Sequence, residues 1–184
     1  AKSVVGLVIG QLIHEGLLTE DTRLVEVLPE YQTGGPFDTV TVGQLLDMRS
    51  GIDLEEAYSE WKAYSGVGGM MTTKDIPTYL SGRARGTFAV PGTVSNYRSV
   101  DTQYLSMIIT RLEGESLADV VQRRIWGPIG AVDDATWSLD HEHGIEKGFM
   151  GLNASTRDFL RLGLLIQDRG RMGDLQVIPE AWID

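Results

Sequence analysis

The opening stretch places the tightest limit on what this chain can fold into. Residues 1–15 read as a helix that is apolar nearly all the way round, carrying Val4, Val5, Leu7, Val8, Ile9, Leu12 and Ile13. A helix without a polar face cannot lie on a surface; it needs neighbours on every side and belongs inside a larger structure. Gly6 and Gly10 lie one turn apart and would let a neighbouring element approach closely, and Gly16 is placed to end the helix in a left-handed cap. The apolar run from Val4 to Ile13 is broken by Gln11, and it is about half of the ~20 residues that a membrane-spanning helix needs. It also lacks the basic flank and small-residue cleavage site of a signal peptide. The chain begins inside this helix and stops five residues after Pro179, a favourable first-turn residue for another helix. Both ends therefore read as cuts, and residues 1–184 as a single partial domain.

Composition narrows the function classes. A net charge of −10 with no basic run argues against nucleic acid as a partner, since phosphate binding needs a basic face. It argues equally against an anionic lipid surface. The absence of cysteine excludes disulfides, thiol nucleophiles and cysteine–zinc sites. It leaves the compartment open, so localisation is not assigned.

Between the ends the pattern is mostly helical. Thr41-Val42-Gly43-Gln44 is a capping box opening a helix through Met48. Further helices are expected over 54–64, from Thr72 or Thr73 to about Gly82, over 100–112, over 116–125 behind a Ser116 cap, and over 156–167. The last is strongly amphipathic, with Phe159, Leu160, Leu162, Leu164 and Ile166. Strand signals are few and short, near 87–90 and 136–139. The glycine clusters at Gly34-Gly35-Pro36 and Gly66-Val67-Gly68-Gly69 read as loops, because neither continues into the Gly-Lys-Ser/Thr of a phosphate cradle.

Two positions carry candidate chemistry. Lys2 heads the apolar helix, where desolvation would lower the pKa of its ammonium and suit the amine to act as a base. The plainer reading of Lys2 is a surface lysine at a frayed terminus. Tyr97 follows the Pro91-Gly92-Thr93 turn, with Ser99 two residues on. A phenol near an ammonium would lose its proton more easily than usual and could shuttle it. The plainer reading of Tyr97 is a buried tyrosine with a satisfied hydroxyl.

Lys2 and Tyr97-Arg98-Ser99 stand ninety-five residues apart, and two further segments accompany them. Leu45-Leu46-Asp47-Met48-Arg49-Ser50-Gly51 looks like a Leu-Leu-x-x-x-Ser-Gly segment. Gly151-Leu152 through Asp158 to Gly163 looks like a Gly-Leu-x-x-x-x-x-Asp-x-x-x-x-Gly helix. Each is weak alone, but the ordered set of four resembles the serine β-lactamase and penicillin-binding-protein superfamily. The branch it resembles contains class C β-lactamases, D-amino-acid peptidases, family VIII carboxylesterases and 6-aminohexanoate-dimer hydrolases, and the likeness covers essentially the whole chain.

That resemblance implies an α+β, β-lactamase/transpeptidase-like fold, of which this chain is the mainly α-helical part with a few short strands. It implies acyl transfer to water through an acyl-serine intermediate, on a small-molecule or short-peptide amide or ester, with no metal or organic cofactor. Lys2 becomes the lysine of Ser-x-x-Lys, Tyr97 the catalytic tyrosine, and Ser99 the substrate-binding third position of Tyr-x-Asn. The nucleophilic serine would stand two positions before Ala1, and the Lys-Thr-Gly or His-x-Gly strand after the last residue. The polypeptide as given is therefore expected to be inactive on p-nitrophenyl esters. Serine in place of asparagine exchanges an amide that both donates and accepts for a shorter hydroxyl, which favours the esterase or amino-acid-oligomer amidase branch over β-lactam hydrolysis. A D-amino-acid peptidase or β-lactamase of the same fold, a non-catalytic peptide- or cell-wall-binding homologue, and an unrelated helical interaction module remain the alternatives. Oligomeric state is left open.

Two other patterns read as decoys. Ser59-Glu60-Trp61-Lys62 is a literal Ser-x-x-Lys, but Glu55, Glu56 and Glu60 would keep that lysine charged. His141-Glu142-His143 has no third ligand at a clear spacing, and Asp140 and Gly144 mark it as a solvated loop.

Overall fold

The structure, a computed structural model, describes residues 1–57 and 64–183. It is a layered helical assembly built on two long helices, α1 (Lys2–His14) and α6 (Ser99–Glu113), which pack directly on each other. Both are buried along most of their length. Val5, Val8, Ile9 and Leu12 of α1, and Val100, Tyr104, Ile108 and Ile109 of α6, have no solvent exposure. Side chains of this size contribute about 1.5–3 kcal/mol each when fully buried, so the pair anchors the fold. Gln11, the polar break in α1, donates through Nε2 to the carbonyls of Val177 (2.6 Å) and Arg124 (3.2 Å).

The close-approach expectation for the first helix finds its partner in Trp182. This residue belongs to α9 (Glu180–Ile183), and its indole N–H donates to the Gly6 carbonyl at 3.1 Å. A Cβ on Gly10 would lie 2.3 Å from the same indole, so only glycine admits the ring. The helix ends in a Schellman motif: Gly16 adopts φ +75°, Leu17 N–H bonds Leu12 C=O, and Gly16 N–H bonds Ile13 C=O.

Around this pair lie α2 (Leu24–Val27), α3 (Val42–Leu46), α4 (Gly66–Thr72), α5 (Ile76–Arg83), α7 (Leu117–Val121) and α8 (Thr156–Gln167). The Thr41/Gln44 capping box forms as expected, although α3 stops at Leu46. Ser116 and Ser155 cap α7 and α8 through the N–H groups of Asp119 and Asp158. A π-helical turn, Gln122–Trp126, continues α7. Strand content is slight. The hairpin pair β1 (Thr136–Trp137) and β2 (Leu152–Asn153) is antiparallel, with Thr136 opposite Asn153, and so is β3 (Arg171–Met172) with β4 (Leu175–Gln176).

Several local expectations need correction. The Gly66-Val67-Gly68-Gly69 stretch is the first turn of α4, not a loop. Tertiary contact overrides the poor helix propensity of glycine there: Tyr79 Oη donates to the Gly66 carbonyl at 2.8 Å, and a Cβ on Gly69 would strike that phenol at 2.2 Å. The cap of α5 is Asp75, whose Oδ1 accepts Thr78 N–H, not Thr72 or Thr73. The expected strand near 87–90 is reduced to a single bridge between Ile52 and Thr87. A helix over 54–64 is not present in residues 54–57, and the rest of that stretch, with Ser59-Glu60-Trp61-Lys62, lies outside the described residues. Finally, α8 buries only Asp158 and Leu165, while Phe159, Leu160, Leu164 and Ile166 face outward.

Candidate active site at the start of α1 and α6

The N-termini of α1 and α6 meet, and the connection before α6 is held by a specific lattice. Gly92 N–H bonds Arg49 C=O, Asn96 N–H bonds Met48 C=O, and Phe88 N–H bonds Gly51 C=O. Gly51 takes φ +69°, and a Cβ there would lie 2.6 Å from the Ala89 carbonyl oxygen, which explains the glycine of the Ser-Gly pair. Ser50, its neighbour, donates its hydroxyl to Asp101 Oδ1 at 2.6 Å and accepts Ile52 N–H. The Leu-Leu-x-x-x-Ser-Gly segment thus braces the first turn of α6 and sets the position of Tyr97 and Ser99.

Lys2, Tyr97 and Ser99 lie together. Lys2 Nζ is 3.0 Å from Ser99 Oγ, 5.2 Å from the centroid of the Tyr97 ring and 5.5 Å from that of Phe149. Ring faces attract an ammonium through their quadrupole, so the amine is held between two aromatic surfaces and a hydroxyl. Glu56 completes the cluster: its Oε1 accepts the Ser99 hydroxyl at 2.6 Å and its Oε2 accepts Ser99 N–H at 2.7 Å. The second bond satisfies one of the unpaired backbone donors at the start of α6. Neither Glu56 nor Phe149 belongs to a motif with a readable spacing.

The electrostatics follow from burial. Desolvation lowers the Lys2 pKa, opposed by the Glu56 and Asp101 carboxylates. Tyr97 shifts upward, first through desolvation and then through Glu56. That direction is opposite to the sequence expectation of a phenol that loses its proton more easily, and burial is its first cause. Asp101 is pushed up to about 7 by burial, against the Ser50 hydrogen bond. Tyr97 is 53% exposed, whereas Ser99 is 2% exposed.

Other sequence candidates resolve into structural roles. Asp140 is buried and accepts the N–H groups of His141, Ile145 and Ile76, closing the loop that carries His141 and His143. Among the described residues no group of three His, Cys, Asp or Glu is arranged to hold a metal ion, and no helix is long and apolar enough to cross a membrane. Asp158 of the Gly-Leu…Asp helix is buried. Burial alone would raise its carboxyl, but Val132 N–H, Asp133 N–H, the Ser155 hydroxyl and Arg161 hold it below the usual range. A surface cavity of about 320 Å³, lined in part by Trp126 and Trp137, shares no residue with the Lys2 cluster.

This architecture is that of the β-lactamase/transpeptidase fold, represented here by its mainly helical part. The family model described as Beta-lactamase matches residues 1–180, and the chain belongs to that family. It is 28% identical over its whole length to the 6-aminohexanoate-dimer hydrolase of Paenarthrobacter ureafaciens, covering 48% of that protein. Penicillin-binding protein 4 of Amycolatopsis lactamdurans is 29% identical over 71% of the chain, a match covering 32% of that protein. Among solved structures, a Bacillus anthracis protein provisionally assigned as a 6-aminohexanoate-dimer hydrolase superposes with a TM-score of 0.82 at 27% identity, over 98% of this chain and 49% of that one. The chain thus spans about half the length, or less, of the curated relatives it matches.

Proposed function

We propose that this chain is the helical part of a serine hydrolase that cleaves an amide or ester by acyl transfer to water. The observation that carries the reading is the meeting of the Lys2 amine, the Tyr97 ring and Ser99 at the joint start of α1 and α6, two helices whose sequences are far apart. In this reading Lys2 is the base. Desolvation moves the amine toward its neutral form, and that form takes the proton of a serine hydroxyl one helical turn upstream as the serine oxygen bonds the acyl carbon. Tyr97, whose phenol stays protonated, is the acid that protonates the departing amine or alcohol, and Lys2 returns the proton to it. Water then attacks the acyl-serine by the reverse proton path, releasing the acid and restoring the hydroxyl.

The name of the Paenarthrobacter relative supplies the first substrate to try, the 6-aminohexanoate dimer. In the full-length protein, Lys2→Met should lower kcat/KM for that dimer or for a p-nitrophenyl ester by about a hundredfold to ten-thousandfold, and Tyr97→Phe by about a hundredfold or more. Full activity in the Lys2→Met protein would end this reading. A β-lactamase or D-amino-acid peptidase of the same fold is the second reading, favoured by the penicillin-binding-protein relative. Hydrolysis of a β-lactam faster than of the linear amide would select it.

A further inference from the structure

Ser99 occupies the position where the family pattern has asparagine, and its hydrogen bonds restrict what it can offer a substrate. A hydroxyl has one proton and two acceptor lone pairs, and an ammonium has only donors. In its charged form Lys2 Nζ can only donate to Ser99 Oγ, and the Ser99 proton goes to Glu56 Oε1, 2.6 Å away, a charged acceptor that also outcompetes the lone pair of the neutral amine 3.0 Å away. Glu56 Oε2 simultaneously takes Ser99 N–H, so one carboxylate grips both donors of a single residue. Rotation of the hydroxyl would break the short bond to a charged acceptor, the stronger class of hydrogen bond. With its proton committed to Glu56, Ser99 Oγ has no donor for a substrate carbonyl.

We propose that Glu56 is a positioning residue that locks Ser99 into an acceptor-only state and thereby aims the Lys2 amine. The proposal rests on the reading of Lys2 as the base, and it gives Ser99 an orienting role in place of an acyl-carbonyl contact. Among the described residues, the groups facing Lys2 are the Glu56 and Asp101 carboxylates, the Tyr97 phenol and the amino group of Ala1 on its own helix, with Arg98 beside Asp101. Of the two carboxylates, Glu56 is the one that also holds the acceptor of the Lys2 hydrogen bond. Removing its charge leaves desolvation less opposed, so the amine should become neutral at lower pH.

The test uses the full-length protein with ¹³Cε-lysine labelling, the Lys2 resonance being the one lost in Lys2→Arg. In Glu56→Gln this resonance should titrate at lower pH than in the unmodified protein, and the acid limb of kcat/KM should move the same way while plateau kcat falls about tenfold or more. Glu56→Asp keeps the charge but is too short to hold both Ser99 donors. It should leave the limb in place and still lose kcat. Ser99→Ala should lower kcat with little change in KM. An unmoved or raised Lys2 titration in Glu56→Gln, unchanged kcat in Glu56→Asp, or a Ser99→Ala effect confined to KM would each overturn the proposal. The NMR titration needs no turnover, so a shifted Lys2 in a protein that hydrolyses nothing would sink the hydrolase reading and leave the positioning intact.

Discussion

Helices α1 and α8 have similar lengths and similarly strong apolar signals, yet the fold treats them oppositely. The first is apolar all round and is enclosed, with Val5, Val8, Ile9 and Leu12 fully buried. The second has a concentrated apolar stripe and turns much of it outward, with Leu160 62% exposed, while an aspartate lies at its buried side. A stripe records that a face needs cover; it does not record which part of a polypeptide supplies it. An all-round apolar helix has no such freedom, because every orientation buries it. The two helices also differ in function. The enclosed one presents Lys2 at its rim, where partial burial perturbs a charge. The outward one contributes Asp158, whose carboxylate ties the 132–133 backbone to the α8 cap.

The largest effect that would sharpen this contrast is a charge placed in each helix. Val8→Asp should abolish cooperative folding of the chain, because an unpaired buried carboxylate costs far more than the stability of a small domain allows. Leu160→Asp should leave the thermal melt nearly unchanged. If the two variants melted alike by circular dichroism, the distinction between the helices would fail. Next in size, Ile9→Ala should cost about 2–5 kcal/mol in urea unfolding, a value set by transfer and cavity losses. Leu160→Ala should stay within about 0.5 kcal/mol on the same chain.

A smaller, pH-dependent effect belongs to the α1–α6 joint. Asp101 is buried, and its folded pKa lies near 7 against 3.8 for the free group. A raised carboxyl binds its proton more tightly when folded, so it reduces stability as pH climbs from about 4 to 7. Asp101→Asn removes that titration. Relative to the unmodified chain, the variant should gain stability between pH 5 and pH 8, by about 3 kcal/mol at most. A difference that does not change over that range would show that Asp101 is ionised throughout.

The parts of the molecule that were legible in its sequence are those governed by local rules. Gly16, Thr41 with Gln44, and Ser116 end or begin helices where their side chains or φ preferences require. The approach at Gly10 was legible as a gap, although only the structure shows that Trp182 fills it. Lys2, Tyr97 and Ser99 could be singled out by type and order. Glu56 could not, because it arrives on an irregular segment and reaches the site through Ser99. Phe149 joins the site from a turn that carries no periodic signal. The α4 glycines misled because their helix depends on Tyr79, a contact thirteen residues away.

The account stands on the Lys2 amine and the Tyr97 phenol working as one unit. A double-mutant cycle in the full-length protein measures this directly, comparing kcat/KM for Lys2→Met, Tyr97→Phe and the two combined. Groups that pass one proton between them lose their shared function once, so the combined variant should be about as slow as the slower single. Strict additivity of the two losses would show that the residues act independently and would contradict the account.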